Sequence, residues 1–139
     1  DALDQWRIFY ASFDNAGEHA RMGAERIAAA ERDGEAAAAL FDTYREKGWG
    51  DAQDCAELAL ACRLVALTGR KARLAGASQA GIAGNLGPQF KELAAQVRRR
   101  AEQFESLWLA RNRRSDLDRV LKAFCRVADE ADAASVARV

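Results

Sequence analysis

The side chains best suited to chemistry lie together in the stretch LWLARNRRSDL, residues 107–117. Trp108 offers an aromatic platform, and Arg111, Asn112 and Arg113 offer hydrogen-bond donors that could hold a sugar or another polar partner. The same residue types also suit a helix end, because cations favour a helix C-terminus and Asn tolerates the left-handed conformation that closes one. The stretch therefore allows a binding surface or a structural corner.

No other part of the chain carries a catalytic pattern. His19 is the only histidine, so a His-Glu-x-x-His zinc motif cannot be assembled. With this single histidine and no candidate serine beside a suitable acid, a Ser-His-Asp triad is unsupported. The many carboxylates are explained as helical surface charge, since nothing in the sequence places two of them across a cleft. We therefore predict no catalytic residue, no metal ligand and no cofactor within this chain.

Composition excludes several classes of protein. The 21 basic and 21 acidic side chains cancel, so there is no overall attraction to nucleic acid or to an anionic membrane. No run of about 18 apolar residues is present, so no membrane span is expected. The 139 residues suit a single domain, and because the chain begins with Asp1 we expect a processed chain or a piece of a longer protein.

The three cysteines do not suggest a disulfide framework, because their number is odd. Cys55 and Cys62 are seven residues apart, which puts them about 10 Å apart along a helix, too far for a disulfide. We expect Cys55, Cys62 and Cys125 to be small buried thiols in a reduced, cytoplasmic compartment.

Hydrophobic residues recur with helical spacing, which predicts an all-α antiparallel bundle of about five helices. The predicted helices are 3–32, 35–47, 52–74, 88–111 and a last one that Ser115 caps. Gly34 is expected to end the first helix, which has a weak point near Gly17. Asp51 is expected to cap the third, which is apolar over a wide arc and so should be central. Residues 76–87 are expected to form a glycine-rich loop.

Residues 104–113 read Phe-Glu-Ser-Leu-Trp-Leu-Ala-Arg-Asn-Arg, and Leu117 follows after a short turn. This resembles the closing segment of bacterial family 20 glycoside hydrolases, in which an all-helical domain follows the catalytic barrel. That family commonly reads Tyr or Phe, then Leu-Trp-Leu-x-Arg-Asn-Arg, then Pro-Gly-Gly-Leu. Here Arg-Arg-Ser-Asp-Leu closes the segment, so the Pro-Gly-Gly turn is absent.

The resemblance implies a function for the whole protein. The family consists of β-N-acetylhexosaminidases, which use an Asp-Glu pair on a (β/α)8 barrel while the substrate's acetamido group acts as nucleophile. A barrel needs about 250 residues, so this chain would be the helical accessory domain. It would support the barrel of the same polypeptide, form a homodimer interface and form one side of the substrate entrance. Trp108, Arg111, Asn112 and Arg113 would then contact the barrel or an amino sugar.

Two alternatives remain from the sequence. The first is a stand-alone helical module that binds a protein partner or regulates one. The second is a small helical enzyme of the chorismate mutase type, which binds a dianion with inward arginines. The run Arg98–Arg100 fans around its helix and is expected to be solvated beside glutamates, which disfavours this enzyme. An inward cluster of two or more arginines would favour it.

Overall fold

The computed structural model describes residues 7–82 and 84–137, apart from the side chains of Asp14, His19, Arg21 and Met22. Residues 7–10 are helical, and longer helices follow. These are α1 (Phe13–Met22), α2 (Ala24–Glu46), α3 (Ala52–Gln79), α4 (Leu86–Arg111) and α5 (Leu117–Val136). The described ranges contain no strand, which confirms the predicted all-α helical bundle.

Helix α3 is the central element of the bundle, as its wide apolar arc predicted. It packs against α1, α2 and α4, while α5 packs against α4. One apolar stripe of α3 joins the main hydrophobic core, which also takes in the buried faces of α4 and α5. A second, smaller cluster fills the space between α1 and the C-terminal half of α3. The core therefore lies along α3 rather than between equal helices.

The first predicted helix boundary, at Gly34, is wrong. Helix α2 runs through Gly34, which is buried against α3. A Cβ atom there would lie 2.8 Å from the backbone oxygen of Cys62, so the glycine permits a close helix approach instead of ending a helix. The helical path instead breaks at residues 11–12 and at Gly23.

The loop predicted at residues 76–87 is shorter in the structure, because both of its ends are helical. Helix α3 continues to Gln79, because Gly76 is buried against α1, where a Cβ atom would lie 3.1 Å from Ala20. Helix α4 then begins at Leu86, so Pro88 falls in its first turn as predicted. The predicted cap at Asp51 is confirmed, since its carboxylate accepts a hydrogen bond from the Asp54 amide at 2.9 Å.

Three charged side chains hold the break at residues 11–12. Lys71 of α3 donates to the Phe9 backbone oxygen at 2.6 Å and also to that of Ala11. Arg126 of α5 donates to the Tyr10 oxygen at 3.1 Å. Glu130 accepts from the first amide of α1, that of Phe13, at 2.9 Å. Cations thus meet the carbonyl end of one helical segment and an anion meets the amide end of the next.

The three cysteines are free, but they are not all buried. Cys55 is buried, Cys62 is partly buried and Cys125 is exposed. The prediction of buried thiols is therefore confirmed for Cys55, holds only in part for Cys62 and is wrong for Cys125, which lies at an exposed position of α5. None of the helices in the described ranges has the length and apolar character needed to cross a membrane.

Candidate functional site

The stretch 107–117 forms the corner between α4 and α5, but two of its predicted conformations are wrong. Asn112 caps α4 with extended backbone angles, φ −130° and ψ 162°, rather than left-handed ones. Its amide and its side-chain Nδ2 both donate to the Trp108 oxygen, at 2.8 and 3.2 Å, so the last turn closes without a left-handed residue. Asp116, not Ser115, is the N-cap of α5, and it is left-handed with φ 63°.

Trp108 is partly buried and is fixed by two contacts. Its ring stacks on Phe104 with centroids 5.8 Å apart and planes 25° apart. Its indole Nε1 donates to the Arg113 backbone oxygen at 2.8 Å. The indole donor is therefore used within the corner, and only part of the ring is presented to solvent.

Arg111 joins the end of α4 to the start of α3. Its guanidinium pairs with Asp54, with Glu57 at 2.8 Å and with Asp51 at 3.8 Å. The hydrogen bond to Asp54 and the neighbouring acids raise the pKa of Arg111 above its ordinary value. Because these partners lie within the chain, Arg111 links α4 to α3, and its guanidinium is not a free donor for an outside ligand.

Arg113 and Arg114 differ in what they contact. Arg114 pairs with Glu105 at 3.3 Å and with Asp118 at 2.9 Å, which ties the corner to both flanking helices. Arg113 is exposed and forms no ion pair with any residue in the described ranges. Among the four predicted site residues, Arg113 has the side chain that remains available to an outside partner.

An apolar groove of 220 Å³ lies beside the corner, between α3 and α4. Its lining residues are Glu57, Leu60, Ala61, Leu64, Phe104, Leu107, Trp108 and Asn112. Ala61 is the exposed apolar residue on the α3 side of this lining. The structure therefore brings Trp108 and Asn112 together at one groove, which we call the Trp108 groove, whereas Arg111 and Arg113 do not line it.

A larger polar cleft of 520 Å³, which was not predicted from the sequence, lies where α2 and α4 flank the start of α3. Three arginines contribute to its lining, one from each helix: Arg45 of α2, Arg63 of α3 and Arg100 of α4. Asp42 is the one carboxylate among its lining residues, and both terminal nitrogens of Arg63 donate to it. We call this feature the arginine cleft.

Arg100 departs from the predicted behaviour of the run Arg98–Arg100. Arg98 and Arg99 are exposed and pair with Asp132 at 2.7 Å and with Glu92 at 3.2 Å, respectively. Arg100 instead turns toward α3, where its Nε is buried without a hydrogen-bond acceptor. Burial, and then the positive charge of Arg63, lower the pKa of Arg100 below its ordinary value.

The sequence could have indicated the arginine cleft only through spacing. Arg100 is four residues from Phe104 and three from Val97, so it lies at the edge of the apolar stripe of α4. Nothing local shows that Arg45 and Arg63, from two other helices, meet it there. Comparisons with protein-family models, with curated proteins and with solved structures found no match to this chain.

Proposed function

We propose that the chain is a non-catalytic helical accessory module of a β-N-acetylhexosaminidase-like glycoside hydrolase. In this proposal it packs against the catalytic barrel of the same polypeptide through the surface around the Trp108 groove. The proposal rests on the resemblance of residues 104–117 to the closing segment of family 20 glycoside hydrolases.

One observation in the corner supports that resemblance. Asp116 has φ 63°, a conformation that glycine adopts freely and that Asp and Asn tolerate better than most other residues. Asp116 stands where the family pattern has the second glycine of Pro-Gly-Gly-Leu. The two sequences therefore differ at this place while the backbone here keeps a conformation that suits glycine. Leu117, which matches the leucine of the pattern, is fully buried and anchors the start of α5.

The Trp108 groove supplies a surface that suits an apolar part of a partner. Ala61 is exposed, and Phe104 and Trp108 are only partly buried, so apolar side chains from α3 and α4 remain uncovered around one groove. Covering this surface would remove apolar area from water, which favours association. The barrel is the occupant that the resemblance implies, and a second copy of the chain is the competing occupant.

The corner residues then have distinct roles. Trp108 and Asn112 shape the groove wall, and Arg111 holds the end of α4 onto the first turns of α3. Arg113 is exposed and unpaired in the described ranges, so it is the residue that would reach the barrel or the substrate entrance. An amino sugar would meet this module only at that shared edge.

The test is hydrolysis of a chromogenic N-acetylglucosaminide by the longer protein that this proposal requires, with and without residues 1–139. We expect activity in the intact protein, a reduced rate or none after the deletion, and none from the 139-residue chain alone. Ala61→Asp, which puts a charge at an exposed position that lines the Trp108 groove, should lower activity or stability of the intact enzyme. Ile82→Asp is the matched control, because Ile82 is 58% exposed in the turn after α3 and does not line the Trp108 groove.

An intact protein without hexosaminidase activity would contradict the proposal. A helical protein-interaction module would then replace it, with the same groove as the binding surface. If the isolated chain forms a dimer that Ala61→Asp breaks while the activity of the longer protein is unaffected, the groove is a homodimer interface and not a barrel contact.

A further inference from the structure

The arginine cleft has a charge that its own residues do not neutralise. Arg45, Arg63 and Arg100 contribute three guanidinium groups to the lining, and Asp42 contributes one carboxylate. Arg63 pairs with that carboxylate, whereas Arg45 and Arg100 form no ion pair within the described part of the chain. The negative charge of Glu35, outside the lining, acts on Arg100 but less strongly than burial and the positive charge of Arg63. Because the chain as a whole has no net charge, this excess of cations is a local feature and not a reflection of composition.

Arg100 is the residue whose surroundings most clearly call for a ligand. One terminal nitrogen donates to the Gln103 oxygen at 2.7 Å, while the Nε, which is buried, has no acceptor. Buried donors without an acceptor are rare in native proteins. The guanidinium fork is also the group best matched to the paired oxygens of a carboxylate or a phosphate.

Neutral donors complete the lining. The Ser106 hydroxyl and the Gln103 amide also lie on α4, and both residues line the cleft. Gln53, in contrast, is already bonded to Glu57 and to the Leu107 oxygen. Three cations from three helices, together with hydroxyl and amide donors, form a lining suited to an anion with more than one charge.

We propose that the arginine cleft binds a small dianion, a phosphate or a dicarboxylate, between Arg45, Arg63 and Arg100. The volume of 520 Å³ falls in the range of small-molecule sites, which favours a compact ligand over an extended protein segment. The ligand's charges would neutralise Arg45 and Arg100 while Asp42 keeps Arg63 in place. This site adjoins the Trp108 groove, with which it shares Leu60 and Leu107, but it does not depend on the proposed hydrolase context.

The experiment is a ligand titration of the 139-residue chain, followed by NMR of its backbone amides and arginine Nε–H groups. Inorganic phosphate and succinate are the two probes, acetate is the monoanion control, and ionic strength is held constant with sodium chloride. We expect saturable shifts at the Arg100 Nε–H and in the parts of α2, α3 and α4 that line the cleft. Stronger binding of phosphate or of succinate identifies which kind of dianion the cleft prefers.

Substitutions locate the site. Arg100→Met should weaken binding at least tenfold, and Arg45→Met, which removes an exposed cation without an internal ion pair, should weaken it severalfold. Arg99→Met is the matched control, because Arg99 is the neighbouring arginine on α4 but is exposed and pairs with Glu92. It should leave the affinity unchanged. Retention of the amide spectrum in Arg45→Met shows that a loss of binding is not a loss of fold.

Three outcomes would overturn the proposal. The first is the absence of saturation with both phosphate and succinate. The second is equal binding of acetate, or an equal loss of affinity in Arg99→Met, since either would reveal general attraction of anions to surface cations. The third is saturable shifts confined to residues away from the cleft, which would place the anion elsewhere, whatever the outcome of the hexosaminidase assay.

Discussion

Lys71 is a charged side chain in the apolar stripe of the central helix. It follows Leu64 and Leu67 and precedes Leu74, all of which are buried, and it is itself only 1% exposed. Its ammonium group donates to the carbonyl oxygens of Phe9 and Ala11 at the break in the chain. The spacing of Lys71 from Leu64, Leu67 and Leu74 corresponds to one face of a helix. The carbonyl groups that it binds, about 60 residues earlier, are visible only in the folded chain.

Burial lowers the pKa of Lys71 from 10.5 to about 8, against the opposing effect of Glu130. Between these two values the unfolded chain holds a proton that the folded chain has released, so the free energy of unfolding rises with pH across this window. The rise is on the order of 3 kcal/mol at most, at about 1.4 kcal/mol per pKa unit. We expect the free energy of unfolding of the wild type, minus that of Lys71→Met, to increase from pH 8 to pH 10.5. Urea denaturation of both proteins measures it.

Two comparisons make this prediction specific to Lys71. Tyr10, whose pKa is raised by burial, titrates in both proteins and so cancels in the difference. Lys91→Met, at an exposed lysine on α4, should run parallel to the wild type over the same pH range. Parallel curves for wild type and Lys71→Met would show that the Lys71 amine is not desolvated in the folded chain.

Helices α2 and α3 approach closely because small residues face each other along their length. Gly34 lies against the backbone of Cys62 and Ala66, and Gly69 lies against the backbone of Ile27 and Glu31. Read in isolation, Gly34 looks like a helix end, since glycine weakens a helix by about 1 kcal/mol relative to alanine. The packing of α3 outweighs that preference, so the true breaks in the helical path are found elsewhere.

We expect Gly34→Ala to destabilise the protein by roughly 1 to 3 kcal/mol, the usual cost of overpacking. The added Cβ would lie 2.8 Å from one backbone atom and 2.9 Å from another, and neither can move without shifting α3. Gly17→Ala is the matched comparison, because the atoms nearest its Cβ belong to the end of the Gln79 side chain, which can swing aside. It should be neutral or stabilising by up to about 1 kcal/mol.

Thermal or urea unfolding of both variants measures these effects. Equal effects of Gly34→Ala and Gly17→Ala would mean that the backbone of α3 is farther from a Cβ at residue 34 than 2.8 Å. A similar cost at Gly69, for which the nearest atom is also a backbone oxygen at 2.8 Å, would extend the close contact along both helices.

The N-terminal helical segment, residues 7–10, completes the bundle at its core. Phe9 is 1% exposed and packs edge-on against Phe124 of α5 with centroids 5.4 Å apart. Together with the hydrogen bonds from Lys71 and Arg126, this places a short segment among α3, α4 and α5. The bundle thus depends on a segment distant in sequence from the helices that it joins.

We expect Phe9→Ala to lower the free energy of unfolding by about 3 to 5 kcal/mol, as for other buried phenylalanines. Its measurement is equilibrium unfolding in urea, with the exposed Ile82→Ala as control, which should change stability by less than about 0.5 kcal/mol. A small effect of Phe9→Ala would mean that residues 7–10 do not pack on the core in solution.

Helical class, the central position of the third helix and the cap at Asp51 followed from the sequence, because each depends on interactions between residues a few positions apart. The boundaries at Gly34 and in 76–87 did not, because close packing between helices overrides the weak local preference of glycine. In the corner, residue types predicted Trp108 and Asn112 beside one surface, but not that Arg111 is bound by acids of α3. The arginine cleft was not visible at all, since Arg45, Arg63 and Arg100 come from three helices and meet only when α2 and α4 pack on either side of α3.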